Sequence, residues 1–251
     1  MVKVKILPDK EHASEEVAQI MHDLIVAKPN AVIGVATGST PELAYQLLAQ
    51  KIAENNTDVT QLQFFALDEY IGLPWEHPES YHAVIARTVT EPLSLDPAQV
   101  HVPETSADAT EGPVRYYDEQ IAEAGGIDLQ LLGIGRNGHI GFNEPGTPFE
   151  SPTHVGALTE VTREDNSRFF EGGVDEVPPL AVTQGIGTIL KSRQAIMMAF
   201  GEAKVDAIRD SLTEPPAEDR PGSALQLHPD CVFYLDEAAA AKVDLETPKY
   251  A

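Results

Sequence analysis

Runs of apolar residues with no polar alternation constrain this chain most. Ala31 to Ala36, Ala195 to Phe200 and Cys231 to Leu235 are such runs, and Ile127 to Ile134 reads as a fourth buried strand. A strand with one wet face alternates in polarity, whereas a strand covered on both faces does not. The intervening segments carry helical periodicity. Val17, Ile20, Met21, Leu24 and Ile25 recur at i, i+3, i+4 in a helix opened by Ser14 and stopped by Lys28-Pro29-Asn30. Leu43, Ala44, Leu47, Leu48 and Ile52 repeat the pattern after Thr40, read as an N-cap, and Pro41, read as the first helical residue.

Val4 to Leu7 and Gln63 to Leu67 are further strands, the second running into Asp68-Glu69-Tyr70. Ser80 caps a helix through Val89. Thr110 to Ala124 and Glu202 to about Ser211 are helices, and Asp236 caps a last one. This alternation predicts an α/β fold: an open, doubly wound, mostly parallel sheet with helices on both faces, Rossmann-like, in a single domain over 1–251. Phe142 to Thr162, with Pro145, Gly146, Pro148 and Pro152, reads as a long ordered loop or a mobile lid.

Charge narrows the partners. With 40 acidic against 17 basic residues the net charge is −23, a field that repels nucleic acid and anionic lipid. An anionic substrate therefore needs a locally built site. The lone cysteine, Cys231, sits in an apolar run and reads as a core residue; with no signal or membrane segment visible, the expected compartment is the cytoplasm.

In an open parallel sheet, ligands bind beyond the carboxyl ends of the strands. Four groups follow strands there. Thr37-Gly38-Ser39-Thr40 offers backbone N–H groups and hydroxyls at a helix start, which suits a phosphate. Asp68 and Glu69 supply carboxylates for base chemistry. Gly133 to Pro145 contains G-x-G-x-x-G, but Asn143-Glu144-Pro145-Gly146 follows instead of a helix, so a dinucleotide site is rejected. It reads as a glycine-lined wall displaying Asn137, His139 and Glu144, a histidine with a carboxylate to orient it. Lys204, in the first turn of a helix, and Arg168 are the candidate cations. Trp75 and His77 follow Asp68-Glu69-Tyr70 without enough context for a role. His77, His82, His139 and Glu144 lack the spacing of a metal site, so no metal is expected.

Thr37 to Pro41, Leu67 to Leu73, Gly133 to Pro145, Asn166 to Phe170, Ala181 to Thr188 and Gly201 to Lys204 together resemble the glucosamine-6-phosphate deaminase family, in order along nearly the whole chain. Gly138-His139-Ile140-Gly141-Phe142-Asn143-Glu144-Pro145 is the specific part. The resemblance implies conversion of glucosamine 6-phosphate to fructose 6-phosphate and ammonia, with no metal or organic cofactor. It implies Asp68 as the base at C2 and His139 as the shuttle for pyranose opening, tuned by Asn137 and Glu144. Ser39, Arg168 and Lys204, with the amides around Gly38 and Thr40, would hold the phosphate. Some relatives carry Asp at the position of Asn137, which leaves the histidine more dependent on Glu144.

The resemblance leaves galactosamine-6-phosphate deaminase, 6-phosphogluconolactonase and a non-catalytic sugar-phosphate sensor as alternatives. The lactonases share a Gly-His turn but lack the Phe-Asn-Glu-Pro continuation found here at Phe142 to Pro145. A regulator would need a DNA-binding segment. Some relatives are hexamers activated by N-acetylglucosamine 6-phosphate at a basic intersubunit site. Here no Lys or Arg occurs between Glu144 and Arg163. The expectation is a non-allosteric monomer or small homo-oligomer.

Overall fold

The computed structural model describes residues 2–105 and 111–243. Strands β1 (Lys3–Leu7), β2 (Val32–Val35), β3 (Gln63–Ala66), β4 (Asp68–Tyr70), β5 (Val100–His101), β6 (Leu129–Leu132), β7 (His154–Ala157), β8 (Leu180–Thr183), β9 (Gln194–Ala199) and β10 (Cys231–Asp236) form two sheets. The helices are α1 (Lys10–Ala27), α2 (Glu42–Asn55), α3 (Tyr81–Ile85), α4 (Glu111–Glu123), α5 (Glu160–Asn166), α6 (Ile186–Ile189) and α7 (Val205–Thr213), with short 3₁₀ turns between them.

The main sheet has seven strands in the order β1-β10-β9-β6-β2-β3-β5, and every pairing is parallel. Successive strand residues point to opposite faces. In β9, Ile196 and Met198 pack with Met21, Ile25 and Leu48 of α1 and α2. Ala195, Met197 and Ala199 pack with Ile208 and Leu212 of α7 on the other face. This is why the strand reads as continuously apolar, and it makes the fold doubly wound, as the sequence predicts. Cys231 is buried in the second cluster, and burial pushes its thiol up to about 12. No helix among the described residues is long and apolar enough to cross a membrane.

The chain winds from β2 to β3 and β5 on one side, and from β6 to β9 and β10 on the other. The order therefore reverses between β2 and β6, where a crevice opens beyond their carboxyl ends.

Several local expectations are corrected. Helix α1 begins earlier than Ser14. Asp9 is its N-cap and accepts from the His12 amide at 2.9 Å, while Ser14 is buried within the helix. Thr40 does not cap α2; Pro41 already has helical dihedrals and occupies the cap position. Ser80 caps α3 as expected, but the helix widens to a π-turn over Ala86–Thr90. Thr110 lies outside the described residues. After Asp236 the described chain forms a turn, not a helix, with the Ala239 amide donating to the Asp236 carboxylate at 2.7 Å.

The second sheet, of three antiparallel strands ordered β4-β8-β7, was not foreseen. Strand β7 and the start of α5 occupy part of the segment expected to be a loop from Phe142 to Thr162. Gly156, Leu180 and the three-residue strand β4 give too little alternating pattern to be read from sequence.

Candidate active site

A cavity of about 350 Å³ lies at the crevice, lined by Thr37 to Thr40 after β2, Asp68 and Tyr70 of β4, Gly133 to Arg136 after β6, His139, Arg168 and Lys204. All four sequence-predicted groups thus converge on one space. Asn137 and Glu144 stand behind His139 and are not part of the wall. Trp75 and His77 do not line it: Trp75 stacks on His82 with centroids 4.8 Å apart, and His77 on Phe170 at 5.8 Å.

The loop after β2 turns at Gly38, whose φ of +89° is a conformation that L side chains avoid. Two contacts that no local sequence pattern marks support this loop. The buried Tyr45 hydroxyl both donates to the Ala36 carbonyl and accepts from the Ala36 amide, each at 3.0 Å. Lys10 donates to the Ser39 carbonyl at 2.6 Å.

The two acids of Asp68-Glu69 part company because strand residues alternate in direction. Glu69 is fully buried and accepts from the amides of Tyr70, Tyr81 and His82 at 2.7, 2.9 and 2.8 Å. It holds the start of α3, so its role is structural. Asp68 faces the cavity, nearly buried. Burial, reinforced by the nearby Glu69, holds its carboxyl well above the usual carboxylate range, and the Phe142 amide opposes this. A carboxylate so destabilised is a stronger base than a solvated one.

His139 packs against Gly135, where even a Cβ would lie 2.2 Å from the ring. Its Nδ1 sits 2.7 Å from Asn137 Oδ1 and 3.2 Å from Thr162 Oγ1. Asn137 Nδ2 donates to Glu144 Oε2 at 2.7 Å, and Glu144 Oε1 accepts from the Thr159 amide at 3.1 Å and its hydroxyl at 3.2 Å. Thr159 and Thr162, at the start of α5, were not found from sequence; only their N-cap spacing marks them. Burial pulls the imidazole below its usual range; Glu144 pushes it back up, and Lys204 adds to the lowering. The ring is therefore neutral at neutral pH.

Two cations also line the cavity. Lys204 follows Gly201, whose amide is fixed by Asp236 at 2.9 and 3.0 Å, and its ammonium donates to the Ile134 carbonyl at 2.6 Å. Burial lowers its pKa. Arg168 makes no ion pair among the described residues; its guanidinium lies over the Phe169 ring at 4.7 Å. Two cations facing a cavity without carboxylate partners form a ready anion site. Among the described residues, no group of three or more His, Cys, Asp or Glu could hold a metal ion.

A doubly wound parallel sheet with a buried carboxylate, a neutral histidine and unpaired cations at its switch point defines an open α/β protein equipped for proton transfer on an anion. The sequence model of the glucosamine-6-phosphate isomerases/6-phosphogluconolactonase family matches residues 10–233, and the chain belongs to that family. It is 48% identical to the glucosamine-6-phosphate deaminase of Bifidobacterium longum (strain DJO10A), over 97% of this chain and 93% of that protein. It is 47% identical to the glucosamine-6-phosphate deaminase of Streptomyces coelicolor, over 97% and 94%. A solved structure of a monomeric glucosamine-6-phosphate deaminase superposes with a TM-score of 0.92 at 41% identity, covering 96% of this chain and 99% of that one.

Proposed function

We propose that this protein converts glucosamine 6-phosphate to fructose 6-phosphate and ammonia. The observation that carries the reading is the convergence of Asp68, the His139-Asn137-Glu144 chain and the unpaired cations Arg168 and Lys204 on one cavity. The names of its relatives, at identities of 41% to 48% over nearly full length, support it.

The phosphate is held by Arg168, Lys204, Ser39 and the amides around Gly38 and Thr40, far from the reacting carbons. That anchor fixes the sugar for two successive steps. His139 Nε2 takes the proton from O1 and returns one to O5, and the pyranose opens to the aldehyde. Asp68 removes the C2 proton; that electron pair forms the C1–C2 double bond as the aldehyde π pair moves to O1, which takes a proton, giving the enolamine. Protonation of C1 then draws the nitrogen lone pair into a C2 imine. The imine left at C2 adds water and expels ammonia, giving the ketose. Each step moves only protons, water or ammonia, with no net exchange of electrons, so the proposed sequence calls on no cofactor.

The same reading takes the chain to act as a single cytoplasmic domain, a monomer or small homo-oligomer, without activation by N-acetylglucosamine 6-phosphate. Arg163, the first basic residue after Glu144, spends its guanidinium on the carbonyls of Val174 and Val177 at 2.9 and 3.1 Å. A KM response to that effector at subsaturating substrate would contradict this part.

The deciding experiment follows ammonia release from glucosamine 6-phosphate, with galactosamine 6-phosphate and 6-phosphogluconolactone in parallel. Release from the gluco substrate at the highest kcat/KM is the expected result. Hydrolysis of the lactone with no ammonia from either amino sugar would overturn the reading.

A further inference from the structure

The cavity lining around the two cations also contains a carboxylate. Asp165 lines the wall beside Arg168 and Lys204, as does Arg136 from the glycine turn after β6. An acid among phosphate-binding cations is a competitor for them. Asp165 stands three residues before Arg168 at the end of α5, and the field of Asp165 reaches the Lys204 ammonium. Either cation could pair with it, and would then be less available to an anion.

Neither does. Asp165 is held by Arg136 instead, through two parallel bonds: Nε to Oδ2 at 2.8 Å and Nη2 to Oδ1 at 2.6 Å. The planar guanidinium engages both carboxylate oxygens in one fork, a geometry that lysine cannot reproduce. Arg168 is left over the Phe169 ring and Lys204 on the Ile134 carbonyl. We infer that Arg136 is a positioning residue for the phosphate site: by holding Asp165 it keeps Arg168 and Lys204 free for a phosphate dianion. The inference rests on the phosphate-site assignment of the proposed function, and extends it to a residue pair that touches the anion only through its neighbours.

This arrangement makes an unusual demand on a mutant series. Removing Arg136 should weaken anion binding, and removing Asp165 as well should restore it. A residue that contacts phosphate directly cannot be rescued in this way, and a pair that only braces the rim would fail whichever partner is lost.

The test uses inorganic phosphate as probe, with its Kd measured by calorimetry on the full chain, and KM and kcat for glucosamine 6-phosphate alongside. Arg136→Met should raise the phosphate Kd and the KM by about fivefold, the scale of one partly exposed ion pair, with kcat changed much less. Arg136→Met/Asp165→Asn should return both toward the unmodified values, and Asp165→Asn alone should leave the Kd unchanged or lower. Equal weakening in the single Arg136 variant and the double variant would overturn the inference in favour of direct contact. Weakening by Asp165→Asn alone, or no effect of Arg136→Met, would overturn it as well. Ammonia release by the unmodified protein tests the proposed reaction separately, since the phosphate series reads the anion site whichever reaction the protein runs.

Discussion

Asn137 stands between His139 and Glu144 and bonds to both, Oδ1 lying 2.7 Å from His139 Nδ1 and Nδ2 2.7 Å from Glu144 Oε2. A carboxylate only accepts, so the amide nitrogen must face Glu144, and its oxygen must therefore face the imidazole. That oxygen also only accepts, so Nδ1 carries the ring proton. The lone pair is thus on Nε2, which makes no hydrogen bond among the described residues. One amide fixes the tautomer that a general base requires.

Asn137→Asp replaces the Nδ2 donor with an oxygen facing a carboxylate. Two carboxylates so close must share a proton or repel, and a charge beside Nδ1 favours the imidazolium. The base form of His139 is then lost at a higher pH than before. The acid limb of kcat/KM for glucosamine 6-phosphate should move upward in the variant. A profile superimposable on that of the unmodified protein would show that Asn137 does not control the ring.

Asp68→Asn should lower kcat by about 10²- to 10⁴-fold, the usual contribution of a positioned base. It should also stabilise the fold. Because the folded pKa of Asp68 is raised, the ionised form carries a penalty above that pKa, and the penalty vanishes below the unfolded value of about 3.9. Asparagine is nearly isosteric and carries no such penalty. The variant should therefore show a higher Tm at pH 7, and the gap should close as the pH falls toward 4. A Tm at pH 7 equal to or below that of the unmodified protein would contradict the account of Asp68 as a destabilised carboxylate.

Gly135→Ala tests the packing that fixes the imidazole. The added Cβ would fall 2.2 Å from Cε1, 2.3 Å from Nδ1 and 2.6 Å from Nε2 of His139, so the ring must move. A displacement of about 1 Å in a catalytic group costs on the order of 10²-fold in rate. Steady-state kinetics should show that loss in kcat, with KM nearly unchanged because Arg168 and Lys204 are untouched. An unaltered kcat would mean that His139 has freedom the close contact denies.

What could be read in advance follows from how local each signal is. Residues 195–199 sit between two helical layers, and their unbroken apolarity is the direct signature of a two-sided sheet. Gly38, His139 and Lys204 lie in the segments that leave β2, β6 and β9, so the rule that ligands bind beyond strand ends brings them together. Strands β4, β7 and β8 escaped because each is four residues or fewer and pairs across long sequence gaps. The separation of Asp68 from Glu69 depended on that hidden strand, whose alternation sends one carboxylate to the cavity and the other to the start of α3. The Arg136–Asp165 pair escaped because its partners lie 29 positions apart, in a turn and a helix end with no shared pattern.

Tyr45 connects the second layer of this architecture to the site. Strand β2 ends at Val35, so the amide and carbonyl of Ala36 have left the ladder, yet Ala36 is buried. The Tyr45 hydroxyl from α2 satisfies both groups at 3.0 Å and so anchors the first residue before the turn proposed to hold the phosphate. Tyr45→Phe preserves the ring and removes only that hydroxyl, leaving two buried polar groups without their partner. The expected loss is about 1–3 kcal/mol in urea unfolding, with the denaturant slope unchanged. Because the freed segment leads directly into Thr37 to Thr40, the KM for glucosamine 6-phosphate should rise while kcat, set by Asp68 and His139, falls much less. A stability change below about 0.5 kcal/mol, the range of ordinary surface substitutions, would show that water or backbone movement replaces the hydroxyl. A loss of kcat with KM intact would show that this residue serves the proton-transfer groups and not the anion turn.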